Sequence, residues 1–331
     1  MGIEQISNGL EYKNNIKSDK NGAEIFDLDQ RKNEMESKEV EKNYADIFDF
    51  RRNRYRKDLE MGYSSEIALS NLEVHNGIAL NYVLGLLRRE KLSPEDRVAA
   101  IIAIIMHDSG KLSSKLLDHH KKSVEYADEM FREMEEYDPE FDGIKLNDSI
   151  RQKIFWAIER HMNHPYLVKM ADENNEEKLP LPENNVDRVV NDADMLANIG
   201  FKNVAFRLTD KKYIEEDFLE AVKNNRTIIE EVFINVMEGV VKLDGAVLLS
   251  SAQELAKKRI TEVKKIFNYL KKNRVFENIL EEVEISAEKL KEDRNIVFEK
   301  AGLIKEILNR KIKKAGEYLH MDSRVVGNFL M

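Results

Sequence analysis

Apolar residues recur along most of the chain at positions i, i+3 and i+4, the spacing that places them on one face of an α-helix. We find no alternating Val, Ile and Thr segments joined by Asn-Gly or Asp-Gly turns, the pattern typical of β-hairpins. All five prolines fall between positions 94 and 182, so the C-terminal part of the chain can form long helices. The pattern therefore predicts an all-α fold.

The clearest helix signal begins at Ser93, whose hydroxyl can cap the first turn, with Pro94 at the position that best tolerates proline. The nine residues from Val98 to Met106 are all apolar, which predicts a helix buried on every side. We expect this central helix to end at His107–Gly110, with Gly110 as the stop signal.

Four more helices are predicted from the same spacing. The first runs from Val74 to Arg89, and the second carries Ile150, Ile154, Ile158 and His161 on one face and is closed by Pro165. The third is capped by Asn185, carries Val186, Val190 and Asp194, and ends near Gly200. The fourth is a long helix from Leu248 to Leu270.

Composition narrows the class of protein. The 331 residues are 42% hydrophobic and 35% charged, with a formal charge of -9, which is typical of a globular protein and argues against a general nucleic-acid or anionic-membrane binder. A basic segment, Arg51–Lys57, is interpreted either as a phosphate or RNA patch or, more simply, as the solvated start of a helix. The longest apolar run is too short to span a bilayer, and no targeting signal is visible, so we expect a cytoplasmic protein without membrane contact.

Candidate chemistry is concentrated in the histidines. Six of the seven lie within one 90-residue window: His75, His107, His119, His120, His161 and His164. The chain contains no cysteine, so any metal must be bound by His, Asp, Glu and water. Asp108, at the end of the most apolar helix, is costly to bury unless it is paired or bound to a metal.

Taken in order, His75, the pair His107-Asp108 and Asp194 resemble the HD-domain superfamily of metal-dependent phosphohydrolases. The stretch from Ile104 to Lys111 is similar to the family's pattern around its His-Asp pair, and the stretch from Val189 to Gly200 is similar to the family's closing Asp-Ala-Asp motif. The resemblance runs from about residue 60 to about residue 275.

The resemblance implies an HD-domain helical bundle with extra C-terminal helices. We expect a polar extension at 1–45, the HD domain at 46–275 and a helical segment at 276–331. The implied activity is hydrolysis of a phosphate ester or anhydride of a nucleotide or other small phosphorylated metabolite. Nucleic acid is not an expected partner, and a homo-oligomer is an open alternative.

The same resemblance implies a divalent metal ion, Mn, Mg, Fe, Co or Ni, bound by His75, His107, Asp108 and Asp194. Asp108 would also orient the attacking water, and Lys111 would neutralise phosphate charge. His119, His120 or His161 would protonate the leaving oxygen or hold a second ion, of which His120 and His161 are the leading candidates. His164 is interpreted as a helix-end residue.

Several alternatives stay open. Asp192 competes with Asp194 as the ligand, because helical phase does not separate them. A second ion is uncertain, because His119-His120 and His161 are not spaced as in dinuclear members of the family. The competing functions are a non-catalytic ligand-binding or regulatory module, and oxygen chemistry at two irons, which needs a fuller set of histidines than these motifs align.

Overall fold

A computed structural model of the protein describes residues 32, 35–63, 66–173, 178–208, 211–286, 289–290, 293, 295–321, 323–327 and 329–330. Of these residues, 75% lie in helices and 1% in strands. The all-α prediction is therefore confirmed.

The helices are numbered here in chain order. They are α1 (Ala45–Glu60), α2 (Glu66–Arg89), α3 (Pro94–Met106), α4 (His119–Met134), α5 (Asp148–Glu159), α6 (Pro165–Glu173), α7 (Asn185–Ala197), α8 (Lys202–Leu208), α9 (Lys211–Lys223), α10 (Ile228–Lys242), α11 (Ser250–Lys272), α12 (Val275–Glu282), α13 (Asn295–Glu299), α14 (Ala301–Tyr318) and α15 (Ser323–Gly327).

Helix α3 is the centre of the bundle. Ser93 Oγ accepts a hydrogen bond from the Asp96 backbone N–H, and Pro94 takes the first helical position. Every residue from Val98 to Met106 is buried, because α3 packs against α1, α2, α4, α5 and α7. The predicted start and the burial on all sides are confirmed.

Other helix ends differ from the prediction by one to eight residues, the largest difference being the start of α2 at Glu66 rather than Val74. Helix α7 is capped by Asn184 rather than Asn185, and Asn184 forms a capping box with Asp187. Helix α5 ends at Glu159, so His161 lies two residues beyond the helix and not on its face. His161 is nevertheless buried.

One short β-hairpin escaped the sequence pattern. Strands β1 (Glu140–Phe141) and β2 (Ile144–Lys145) pair antiparallel around Asp142 and Gly143. Both turn residues have positive φ, 50° and 78°, as a two-residue hairpin turn requires. Two-residue strands are too short to show alternation, which is why only the Asp-Gly pair marks them.

The basic segment Arg51–Lys57 lies inside α1 and is not its solvated start. Arg51 is buried, Arg52 pairs with Glu41, and Arg54 pairs with Glu129 of α4. Two of the five cations are therefore paired with carboxylates of the fold, and a third is buried.

The C-terminal helices add to the same core. Ile304, Ile307 and Leu308 of α14 are buried within the single large apolar cluster that also contains α3, and α14 packs on α11. Residues 1–31, which make up most of the predicted polar extension, lie outside the described residues, and the division into domains stays a prediction. Within the described part of the chain, no helix has the length and apolarity that crossing a membrane requires.

Candidate metal centre

Six predicted or suspected residues converge at one end of α3, and we call them the histidine–aspartate cluster: His75, His107, Asp108, His119, His161 and Asp194. His75 comes from α2 and Asp194 from α7. The His107-Asp108 pair directly follows α3, His119 begins α4, and His161 follows α5. All six are buried, so the bundle brings together residues that lie up to 119 positions apart in the chain.

Asp108 is shared by two groups of potential ligands. In the first group the ligand atoms of His75, His107 and Asp108 all lie within 4.8 Å of one another, and in the second those of Asp108, His119 and His161 do. Asp108 Oδ2 faces His75 and His107, at 3.7 and 3.5 Å from their Nε2 atoms. Its Oδ1 faces His119 Nε2 at 3.1 Å and His161 Nε2 at 3.7 Å. One carboxylate therefore lies between two sites.

Asp194 belongs to the first of these groups by position. Its Oδ1 lies 2.8 Å from His75 Nε2 and 3.7 Å from His107 Nε2. Asp192 is turned away from the cluster: its two carboxylate oxygens accept hydrogen bonds from the Leu248 and Leu249 backbone N–H groups, at 2.9 and 2.7 Å. Asp194 thus lies with the histidines. Asp192 instead connects α7 to the two residues that precede α11.

Three of the imidazoles are held by the same local hydrogen bond. The Nδ1 atoms of His107, His119 and His161 lie 2.8, 2.6 and 2.6 Å from the carbonyl oxygens three residues earlier, those of Ile104, Leu116 and Ile158. A carbonyl accepts only, so each Nδ1 carries a proton. Each Nε2 is therefore the nitrogen directed into the cluster, and once it gives up any proton of its own it offers a lone pair there, as metal-binding histidines do.

This arrangement fits a bound cation. His119 Nε2 and His161 Nε2 are 3.2 Å apart, and with both protons on Nδ1 the two lone pairs would repel. His107 Nε2 and Asp108 Oδ1 are buried without a hydrogen-bond partner in the described part of the chain, which is costly for polar atoms. A divalent ion in each group would satisfy these atoms, and mixed imidazole and carboxylate ligands suit Mn, Fe, Co, Ni or Zn better than a hard all-oxygen cation.

The charges in the cluster favour ionised carboxylates. Burial alone would raise the pKa of Asp108, but the Lys111 ammonium and His107 outweigh it and hold that pKa well below its usual range. For Asp194, burial is likewise outweighed by His107 and His75, and its pKa is also held low. Both carboxylates are therefore available as anionic ligands at neutral pH.

Lys111 lies beside the cluster. Its Nζ is 2.7 Å from Asp108 Oδ2, and although burial lowers the pKa of Lys111, the Asp108 and Asp194 carboxylates raise it above its ordinary value. The Lys111 ammonium is therefore charged, and it lies close enough to Asp108 to contact an anion bound at the cluster.

A hydrogen-bonded chain supports Asp108 from behind. The Tyr55 hydroxyl donates to the Asp108 backbone carbonyl at 3.3 Å, and Asn76 Nδ2 donates to the Tyr55 oxygen at 3.0 Å. All three residues are buried. Sequence reasoning missed Tyr55 and Asn76, because a tyrosine inside a basic segment and an asparagine after a histidine carry no pattern of their own.

The structure reverses the ranking of His119 and His120 as candidate site residues. His119, which ranked below His120 as a candidate, contacts Asp108 and His161, whereas His120 belongs to neither group of ligand atoms. Burial, with the neighbouring His161, lowers the pKa of His120 to about 3, so its imidazole is neutral at neutral pH. Both residues are buried in the first turn of α4, and helical periodicity alone could not separate them.

His164 precedes α6, which agrees with its interpretation as a helix-end residue. Burial lowers its pKa to about 4, and the charges of Asp194 and Lys111 also act on it. His164 therefore lies close enough to the cluster to respond to its charges.

Gly110 has a different role from the predicted stop signal. The helix has already ended at Met106, and Gly110 is not among the residues with positive φ. A Cβ atom at this position would lie 2.6 Å from Lys122 Cβ and 2.7 Å from the Ser123 backbone nitrogen. Gly110 N–H also donates to Ser123 Oγ at 2.9 Å. The glycine lets the turn that carries His107 and Asp108 lie directly against α4.

We expect Gly110→Ala to destabilise the protein by about 1–3 kcal/mol, because the new methyl group meets the α4 backbone rather than a flexible side chain. Urea unfolding of the two proteins measures this. Gly239→Ala is the control: Gly239 lies within α10 and an added Cβ meets nothing within 4 Å, so this change should raise stability by about 0.5–1 kcal/mol. Equal stabilities for the two variants would contradict the packing role of Gly110.

Comparison with known families agrees with the motifs. Residues 77–199 match the family model described as HD domain, a range that includes His107, Asp108, His119, His161 and Asp194 and begins two residues after His75. No curated protein and no solved structure matches the chain. Residues 77–199 therefore form an HD domain, in agreement with the ordered His, His-Asp and Asp motifs that resemble this family.

Proposed function

We propose that the protein is a metal-dependent phosphohydrolase that cleaves a phosphate ester or anhydride of a nucleotide or another small phosphorylated metabolite. The observation that carries this proposal is the convergence of four imidazoles and two carboxylates in which three of the imidazoles already direct their Nε2 atoms inward. When bound, a divalent ion polarises a phosphoryl oxygen and lowers the pKa of its bound water.

The residues of the cluster support two ions. His75, His107, Asp108 and Asp194 would hold one, and Asp108, His119 and His161 would hold the other, with Asp108 shared. This extends the sequence-based expectation, which favoured one ion, and it makes His161 a ligand rather than a proton donor. His120, which is buried and neutral, is left outside both ligand sets.

Lys111 is proposed to bind the substrate phosphate. Its ammonium is held at the cluster by Asp108 Oδ2, 2.7 Å away, so it can neutralise charge on an anion that reaches the same carboxylate. Because Asp108 accepts this contact, the lysine also keeps the carboxylate ionised.

The test is phosphate release from a panel of nucleoside mono-, di- and triphosphates, cyclic nucleotides and sugar phosphates, with Mn, Mg, Co or Ni added to metal-free protein. We expect turnover of at least one member that depends on the added metal and disappears on chelation. A protein that binds ions but releases phosphate from no member with any metal would overturn the small-metabolite activity and favour the regulatory alternative.

The number of ions is measured in the same preparation. We expect two ions per chain for the wild type and one for His119→Asn, which removes a ligand from only one group. His320→Asn is the matched control, because His320 is exposed and lies outside the cluster; it should still bind two. A wild-type protein that binds a single ion at saturation would contradict the two-ion arrangement.

A second candidate is oxygen chemistry at two irons. The sequence motifs aligned too few histidines for it, but the structure brings His75, His107, His119 and His161 together with two carboxylates. Iron-dependent oxygen consumption, with no phosphate release under anaerobic conditions, would favour this candidate over hydrolysis.

A further inference from the structure

A small polar cavity lies beside α2, and none of its lining residues belongs to the histidine–aspartate cluster. It has a volume of about 200 Å³ and is lined by α1, α2, residue Ile105 of α3, and the helical residues 35–43. Its lining includes Arg51, Asn76 and Gly77. The cavity is smaller than the pockets of about 300–1,000 Å³ that hold drug-sized ligands, so its occupant must be small.

Arg51 brings a buried positive charge to this cavity. The residue is only 6% exposed. One of its terminal nitrogens donates to the Ile105 carbonyl at 2.8 Å, and its guanidinium lies over the Phe48 and Tyr55 rings. Its Nε has no hydrogen-bond partner, and no carboxylate pairs with it in the described part of the chain. A buried guanidinium without a counter-ion is costly, and an anion would offset that cost.

Asn76 brings an unused acceptor. It is 2% exposed and its Oδ1 has no partner among the described residues. The orientation of its amide is fixed by Tyr55: the tyrosine proton goes to the Asp108 carbonyl, so the tyrosine oxygen must accept from Asn76 Nδ2. Oδ1 is therefore the atom left without a donor, on a residue that lines the cavity.

Gly77 keeps the cavity open. It lies inside α2, where glycine costs about 0.5–1 kcal/mol relative to alanine, and it does not have a positive φ. An added Cβ meets nothing within 4 Å, so neither the backbone conformation nor close packing requires a glycine here. Gly77 is exposed and lines the same cavity as Arg51 and Asn76, so its missing side chain leaves the cavity accessible.

The other charged residues on the lining form no ion pair with Arg51 among the described residues. Arg52 and Glu41 pair with each other, and the carboxylate of Glu73 is exposed to solvent. The buried part of the site therefore presents one cation, with a free N–H, and one neutral acceptor.

From these groups we infer that the cavity is a binding site for hydrogen phosphate, a small oxyanion that carries both the negative oxygens that Arg51 needs and the hydroxyl that Asn76 Oδ1 needs. Guanidinium groups suit phosphate oxygens. Sulfate has a similar shape and charge but no proton to donate, so it should bind more weakly. The site is separate from the histidine–aspartate cluster, and the inference does not depend on the proposed hydrolysis.

The test is calorimetric titration of metal-free protein with inorganic phosphate at pH 7.5, so that no ion in the cluster can bind the phosphate. Gly77→Leu adds a side chain to the lining of the cavity, at a position where the new Cβ meets nothing within 4 Å. Gly239→Leu makes the same change inside α10, again in open space, and is the matched control. Arg51→Lys keeps the charge and removes Nε.

We expect phosphate to bind to the wild type and to Gly239→Leu with the same affinity, and at least about tenfold more weakly to Gly77→Leu and Arg51→Lys, as the loss of a charge-assisted contact implies. Equal binding to the wild type and Gly77→Leu, or no binding to the wild type, would overturn the site. Sulfate binding as tightly as phosphate would overturn the role of Asn76 as the acceptor.

Discussion

Asp108→Asn is expected to lower metal-dependent phosphate release by at least about 100-fold while leaving a folded protein. Both oxygens of Asp108 face histidines, Oδ2 toward His75 and His107 and Oδ1 toward His119 and His161. An amide replaces one anionic oxygen by an NH₂ group, which cannot bind a cation. The remaining amide oxygen carries no negative charge, so the change weakens both groups of ligands at once. Initial rates with the wild type's best substrate and metal measure the loss, and circular dichroism checks the fold.

Asp187→Asn is the matched control for this change. Asp187 is as buried as Asp108, but it pairs with Arg160 and caps the start of α7. Its replacement should cost about 1–3 kcal/mol of stability and leave the turnover of the folded protein unchanged. If Asp187→Asn and Asp108→Asn lost activity to the same degree, the loss would reflect a general effect of removing a buried carboxylate, and the assignment of Asp108 would fail.

Asp194→Asn and Asp192→Asn should separate metal binding from stability. Asp194 lies 2.8 Å from His75 Nε2, so its replacement should weaken metal binding by at least about 10–100-fold. Asp192 gives one oxygen to each of two backbone N–H groups, those of Leu248 and Leu249. An asparagine there must set its NH₂ group against one of these N–H groups, which should cost about 1–3 kcal/mol of stability without changing metal content.

Metal titration followed by a change in fluorescence, and urea unfolding of the metal-free proteins, measure the two effects. The reverse result, with metal binding lost in Asp192→Asn and retained in Asp194→Asn, would show that the ligand is Asp192. The two residues are separated by one alanine, Ala193, so the variants share their position in the fold and differ only in the direction that the side chain takes.

The periodicity of apolar residues predicted the central helix well, because a helix that is apolar on every side has only one favourable place in a bundle. The start at Ser93 and the burial of Val98–Met106 follow from capping and hydrophobicity, which are local. The hairpin at 140–145 was missed because its strands are two residues long and its stability comes from the helices around it.

Only those residues of the candidate site that belong to recognisable motifs could be predicted from the sequence. His75, His107, Asp108 and Asp194 were grouped from the resemblance, and the structure brings them together. His119 was ranked below His120, although His119 is the one that contacts Asp108, because the choice between two adjacent buried residues depends on the angle at which α4 meets α3. Tyr55, Asn76 and the close approach at Gly110 depend on tertiary packing, which one sequence does not show.

The hydrogen bonds from three imidazole Nδ1 atoms to the carbonyls of their own turns have a thermodynamic consequence. Each ring is held by the backbone three residues before it, so its rotamer freedom is lost when the turn folds and not when an ion arrives. The ligands therefore lose their conformational entropy when the protein folds, and binding of the ion orders little more. A site organised in this way should bind its metal rapidly and without a change of backbone conformation, and the ion should stabilise a fold that is already complete.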